Sequence, residues 1–181
     1  GTNNIMLWAN DTANNWNSSS RIWFTYDNIS IAIALTSPTN TTYTTRNVSY
    51  AYTVSENPTS CRYELNGANT TIPCTNATFT AAEGNNQFMV WVNDSADNWN
   101  SSSRIFFTAD TTAPSIAILQ PTNSTYNYNT SLQLNYTRSD NVQLSQCWFN
   151  LDSGANTTIA GCANTTFNAS EGFHRLYLFA N

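Results

Sequence analysis

The sequence predicts an all-β protein made of antiparallel β-sandwiches in tandem, with about seven strands to a repeat. Three observations predict it. Short runs alternate apolar and polar residues with period two, as where Val48, Tyr50, Tyr52 and Val54 are set against Asn47, Ser49, Ala51 and Thr53. Pro-, Gly- and Asn-rich turns separate the runs, and no segment carries a sustained helical stripe. The chain also repeats itself, with residues 1–44 running parallel to residues 84–127 at a constant offset of 83.

In order, the expected strands of the complete repeat cover 30–36, 47–55, 60–66, about 70–73, 75–80, 86–93 and 102–109. The second is the alternating run just quoted, and its counterpart in the next repeat has Leu132, Leu134 and Tyr136 inward with Asn135 and Thr137 outward. The sixth places Phe88, Val90 and Val92 on one face and Met89 and Trp91 on the other. In the seventh, Phe106 alternates with Ile105 and Phe107, as Trp23 does with Ile22 and Phe24.

The self-match extends well beyond these runs. NDTANNWNSSSR (10–21) faces NDSADNWNSSSR (93–104), and SPTNTTY (37–43) faces QPTNSTY (120–126). The offset then drifts to 88, so that CRYELNGANTTIPCTNATF (61–79) faces CWFNLDSGANTTIAGCANTTF (147–167) and EGNNQFMVWVN (83–93) faces EGFHRLYLFAN (171–181). The expected organisation is the last two strands of a partial repeat over 1–27, a complete repeat over 28–112 and a repeat lacking its last strand over 113–181. The short linker ADTTAP (109–114) marks the boundary. Ends that fall inside a repeat lead to the expectation of a processed product or a section of a longer array.

Seven short strands in such a length suit an immunoglobulin-like or fibronectin III-like sandwich. The segments DTTAPSIAI (110–118), PTNSTY (121–126) and WVNDSADNWNSSS (91–103), with the two cysteine loops, resemble the tandem immunoglobulin-like repeats of bacterial and archaeal cell-surface proteins. The resemblance covers the whole chain and implies an exported, rod-like surface protein. The antibody bridge between the second and sixth strands is missing, so antibody-type features are not carried over.

Charge narrows the function classes. Charged residues are 9% of the chain, the net charge is −5, and the basic residues are six arginines with no lysine. Six scattered arginines make neither a nucleic-acid footprint nor a polybasic patch for anionic lipid. No signal peptide opens the chain, and no apolar run approaches the roughly 18 residues of a membrane span. With 40% apolar and 13% aromatic residues the chain can build a core. Solvation falls to 28 Asn, 27 Thr and 19 Ser, which together are 74 of 181 residues.

Four cysteines fall in the pairs Cys61/Cys74 and Cys147/Cys162, enclosing 12 and 14 residues. An even count in this setting reads as two disulfides formed in an oxidising compartment, tying the third strand to the corner between the fourth and fifth. Zinc would want CxxC pairs and histidines, and His174 is the one histidine.

Asn-x-Ser/Thr acceptors occur at Asn10, Asn17, Asn28, Asn40, Asn47, Asn69, Asn76, Asn93, Asn100, Asn123, Asn129, Asn135, Asn156, Asn164 and Asn168. These 15 of 28 asparagines are about twice what composition alone gives. Asn, Ser and Thr also fill turns for hydrogen-bonding reasons, and acceptors follow from their abundance. The stronger expectation is heavy N-glycosylation, with each copy of the dodecamer presenting a pair of acceptors at the corner between the last two strands.

Little else offers chemistry. His174 has no recurrent partner, its counterparts being Asn86 and Asn3, and a general base needs an oriented partner. No phosphate loop, GxSxG or HExxH is present, so no enzyme is expected. No cofactor is expected either. Asp94 and Asp97, or Asp11, with Asp110 or Asp27 raise Ca²⁺, which wants six to eight oxygens, yet Asn14 replaces Asp97 in the first copy.

Both faces of the sheet holding the third, sixth and seventh strands look apolar. Its outer face carries Trp8, Trp23, Trp91, Phe106, Trp148 and Phe179, and an aromatic surface of this kind marks an interface unless the stems of Arg21, Arg62 and Arg104 cover it. The expected partners are copies of the chain or neighbouring repeats, with strand exchange a route to an open filament, and attached glycans. The first expectation is a structural glycoprotein forming a stalk, fibre or filament outside a prokaryotic, by preference archaeal, cell. The alternative is an adhesin whose Trp residues stack on carbohydrate.

Overall fold

The period-two runs form strands throughout, with no α-helix: the computed structural model describes residues 1–181 as nineteen strands and one 3-10 turn. The chain divides into two compact units, Gly1–Thr108 and Ala109–Asn181. The first holds β1 (Thr2–Ile5), β2 (Trp8–Asn10), β3 (Trp16–Ser18), β4 (Ile22–Thr25), β5 (Ile33–Ser37), β6 (Thr42–Tyr43), β7 (Asn47–Val54), β8 (Ser60–Leu65), β9 (Ala68–Ile72), β10 (Ala77–Thr80), β11 (Gly84–Asn93) and β12 (Trp99–Ser101), and closes with β13 (Ile105–Ala109). The second holds β14 (Ser115–Gln120), β15 (Leu132–Ser139), β16 (Cys147–Leu151), β17 (Thr157–Ile159), the 3-10 turn Ala160–Cys162, β18 (Thr165–Phe167) and β19 (Leu176–Ala180).

From β5 onward the first unit is a two-sheet sandwich. One sheet has the order β10-β7-β5, and the other β6-β13-β11-β8-β9 with β12 also paired to β11. The fourth expected strand, β9, pairs antiparallel with β8 from Cys61↔Ile72 to Leu65↔Ala68. A two-residue turn joins them, Asn66 at φ 52 and Gly67 at φ 87, the left-handed pair that a tight hairpin of native twist requires. This strand therefore belongs to the sheet of the third, sixth and seventh strands, the fibronectin III-like choice. In the constant-type immunoglobulin arrangement the fourth strand joins the other sheet.

The expected last strand, 102–109, is divided. Ser102 Oγ accepts the Val90 N–H at 3.0 Å while the Ser102 N–H donates to the Val90 carbonyl at 2.9 Å, so a side chain takes the place of a ladder carbonyl and interrupts the strand. Ser19 does the same to Leu7 in the first copy, at 3.0 and 2.8 Å, and separates the β1–β4 pair from the β2–β3 pair.

The core follows the alternation. Val48, Tyr50 and Tyr52 from β7 meet Phe88, Val90 and Val92 from β11, with Phe79 and Phe107 between them, all buried. Phe79 and Phe88 stack at 4.5 Å, and Phe107 meets Tyr43 edge-on at 5.6 Å. Each such side chain contributes roughly 1.5–3 kcal/mol through burial, which outweighs any surface contact in the unit.

The second unit repeats the plan with sheets β14-β15-β18 and β17-β16-β19. Its core is Leu134, Tyr136, Cys147, Phe149, Ile159 and Cys162, with Phe167, Leu176 and Leu178 packed against it. The peptide bonds Ser37–Pro38 and Gln120–Pro121, at matching positions of the two repeats, are both cis. Disulfides join Cys61 to Cys74 and Cys147 to Cys162, linking β8 and β16 to the chain just beyond β9 and β17.

Candidate functional site

The repeated dodecamer is a hydrogen-bonded turn at the β11–β12 corner. Asp94 Oδ1 accepts the N–H groups of Ala96 and Asn98 at 2.8 and 3.0 Å, and its Oδ2 accepts Asn98 Nδ2 at 2.9 Å. Asn93 Nδ2 donates to Asp97 Oδ1 at 2.7 Å, and Asp97 sits at φ 65. The first copy makes the same bonds. Asp11 accepts Ala13 N–H, Asn15 N–H and Asn15 Nδ2, each at 2.9 Å, and Asn10 donates to Asn14, which sits at φ 68. These donors hold both carboxyls below the usual range, through Asn98 chiefly at Asp94 and through Asn15 chiefly at Asp11.

The bonds at Asn93, Asp94, Asp97 and Asn98 thus recur with the dodecamer, at Asn10, Asp11, Asn14 and Asn15. Asn93 is only 6% exposed, and its other amide atom accepts Thr59 Oγ at 3.0 Å. Asn100 is half-buried and donates to the Ile31 carbonyl at 3.0 Å. The corner of the complete repeat therefore keeps its two acceptor asparagines for itself, in place of a presented pair. Asn135 is half-buried as well and donates to Gln120 Oε1 at 2.9 Å.

The other twelve acceptors are exposed: Asn10, Asn17, Asn28, Asn40, Asn47, Asn69, Asn76, Asn123, Asn129, Asn156, Asn164 and Asn168. At Asn76 and Asn164, matching positions, the side-chain oxygen accepts a backbone N–H, from Tyr52 at 3.1 Å and from Tyr136 at 3.2 Å. The bond engages the amide oxygen of a residue that stays exposed.

On the outer face of the larger sheet, Arg62 lies opposite Trp91 in register, its guanidinium 5.2 Å from that ring and 4.7 Å from the Trp99 ring. Arg104 pairs with Glu64 at 2.6 Å beside them. Trp91 is half-covered by this layer, while Phe106 in the same sheet stays exposed. In residues 1–25, Trp8 and Trp23 are exposed, with Arg21 5.7 Å from the Trp23 ring. In the second unit the Arg62/Trp91 positions hold Trp148 and Phe179, stacked at 5.7 Å.

His174 has a partner that the sequence did not disclose. Its Nδ1 lies 2.7 Å from Asp152 Oδ2, and its Nε2 2.9 Å from the Ser170 carbonyl and 3.2 Å from Ser170 Oγ. Ser, His and Asp are in line, but the arrangement does not suit a nucleophile. Both ring nitrogens face acceptors, which is the environment of an imidazolium, and the closer carbonyl claims the proton that a base would have to lack. The Asp152 bond chiefly, and the Ser170 carbonyl next, raise the His174 pKa above its ordinary value.

No group of three or more His, Cys, Asp or Glu side chains is placed to hold a metal ion. At the residues considered for Ca²⁺, the Asp94 and Asp11 carboxylates already take three N–H donors each. No helix is long and apolar enough to cross a membrane.

No family model matches the chain. No curated protein matches it either. Among solved structures, it is similar to the fibronectin(III)-like modules of Clostridium thermocellum CbhA, at 18% identity over 82% of this chain and 85% of that one, with a TM-score of 0.42.

Proposed function

We propose that this chain is a structural stretch of an exported glycoprotein, in which tandem sandwiches build a stalk, fibre or filament on a prokaryotic, by preference archaeal, cell surface. The single observation that carries the reading is the distribution of acceptor asparagines. Asn10 and Asn17 occupy the positions that are enclosed in the complete repeat, so the weight falls on the other ten exposed acceptors. They are spread over both repeats on a surface with very little charge, where sugar would supply the solvation that lysine and glutamate supply elsewhere. The titratable groups that do meet are engaged in turns and in strand-to-loop bonds, which supports a mechanical part over a catalytic one. Two disulfides suit an oxidising exterior. The partner in such an assembly is another repeat, of this chain or of a copy.

Mass spectrometry of native material tests the proposal. Hexose-bearing peptides are expected at Asn28, Asn40, Asn47, Asn69, Asn76, Asn123, Asn129, Asn156, Asn164 and Asn168, with Asn93 and Asn100 bare. An unmodified polypeptide would overturn it. One observation favours an adhesin as second reading: the parallel stack of Trp148 on Phe179, a flat apolar pair on an outer sheet face of the sort that carries sugar rings. Polysaccharide affinity lost in Trp148→Ala and unchanged in Trp91→Ala would favour it.

A further inference from the structure

The loop before the sixth strand is tied to the hairpin after the third in both repeats, by the same bonds from different residues. In the first unit, Asn66 Nδ2 donates to Asn86 Oδ1 at 2.9 Å and Asn86 Nδ2 donates to the Ala82 carbonyl at 2.7 Å. The Gln87 N–H donates to Asn66 Oδ1 at 2.9 Å, and the Asn66 N–H to the Gln87 carbonyl at 3.0 Å. In the second unit Asp152 stands for Asn66, His174 for Asn86, Ser170 for Ala82 and Arg175 for Gln87. Each of these four bonds has its counterpart, while Asn86 also accepts the Ala82 N–H at 3.0 Å and donates to the Gly84 carbonyl at 2.8 Å. His174 bridges Asp152 at 2.7 Å and the Ser170 carbonyl at 2.9 Å. The Arg175 N–H donates to Asp152 Oδ1 at 2.7 Å, and the Asp152 N–H to the Arg175 carbonyl at 2.8 Å. An uncharged amide pair in one repeat is a histidine–carboxylate pair in the other.

We propose that this exchange makes the latch of the second repeat sensitive to pH, firm in mildly acidic solution and loosened in alkaline solution, while the latch of the first repeat is indifferent to pH. An imidazolium donates from both nitrogens, so both bonds form. A neutral ring has one proton and must set a lone pair against either the Asp152 carboxylate or the Ser170 carbonyl. The Ser170 hydroxyl, at 3.2 Å, answers that lone pair only in part. Asp152 from the hairpin is the charged group set against the ring; Arg175, next along the strand, acts on Asp152, and Glu171 belongs to the same loop.

The direction follows from both partners. His174 is raised above its ordinary 6.5, so its contribution is complete below that value and is lost as pH rises through the folded one. Asp152 is lowered from 3.8, chiefly by the Arg175 N–H and then by His174, so its contribution is complete above that value and is lost as pH falls through the folded one. The latch is therefore complete between the two ordinary values.

The single histidine makes the test direct. In the full chain, its imidazole proton signal is followed against pH by NMR, and amide exchange of peptides covering 168–176 and 81–87 is followed by mass spectrometry, each normalised to intrinsic rates. The expected midpoint lies above the ordinary value, and Asp152→Asn brings it down. Protection of 168–176 falls several-fold above the midpoint while 81–87 stays level. The double variant Asp152→Asn with His174→Asn, which copies the first repeat, removes the pH dependence. A midpoint at or below the ordinary value, parallel loss in both loops, or a double variant that keeps the pH profile would overturn the proposal. Should that variant fold poorly, the comparison of the two loops within the native chain still decides.

Discussion

Asn93 and Asp94 set the terms at the residue scale, where hydrogen-bond accounting decides which asparagines belong to the fold and which to the surface. Both are buried among turn donors and acceptors, and a buried polar group that loses its partner costs far more than an exposed one. Asn93→Ala leaves the Asp97 carboxylate short of a donor and should lower stability by about 1–3 kcal/mol, read by chemical denaturation. The same substitution at Asn40, exposed and outside this network, should change little. Acid has a matching effect: Asp94 is held below its ordinary 3.8 by Asn98, so its stabilisation is present above that value and is lost as pH falls through the lowered one. A denaturation series carried below pH 4 should show the loss, and Asp94→Asn should flatten it. The acceptor motif could be read from the sequence at all fifteen positions. Enclosure could not, because Asn93 and Asn28 both satisfy Asn-x-Ser and are told apart by what the fold packs around them.

Element by element, strands with one buried face were legible and pairing was not. The second and sixth strands declared themselves by alternation, and β7 and β11 match them to within two residues. The sheet to which the fourth strand belongs depends on a two-residue turn. The Asn66-Gly67 dipeptide that makes the turn is itself a hairpin signal, so this part of the topology was available in principle. The divided last strand was not, since a single serine hydroxyl replaces a ladder carbonyl at a distance of twelve residues. Nor was the Asp152–His174 latch, whose members lie 22 residues apart; only alignment of both positions with Asn66 and Asn86 reveals it. The disulfide loops predict their own measure. Closing a loop of this length restricts the unfolded chain by about 3 kcal/mol, so reduction should lower the midpoint of unfolding in both repeats, and paired Cys→Ala substitutions should reproduce the effect without reductant.

For the molecule as a whole, low charge and an aromatic surface raise the question of what limits association of that surface. The layer of Arg62 over Trp91 and Trp99 answers this locally. Arg62→Ala should uncover Trp91, visible as a red shift of its fluorescence and faster quenching by iodide. Across the rest of the surface the proposed sugars do the same work, so stripping them from native material should promote association at concentrations where the intact glycoprotein stays dispersed, as light scattering would show. If the stripped chain remains dispersed, solubility has another source and the sugars another role.

The paired latches also constrain how one repeat could have diverged from the other. An aspartate placed first at position 66 would set its carboxylate against the Asn86 carbonyl oxygen, two acceptors face to face. A histidine placed first at position 86 could accept from the Asn66 amide through Nδ1 and still donate through Nε2 to the loop carbonyl. Starting from the amide pair, the passable order runs through histidine, with the acid second. A neutral ring would have come before the charged one, and the dependence on proton concentration would be the later acquisition of the two.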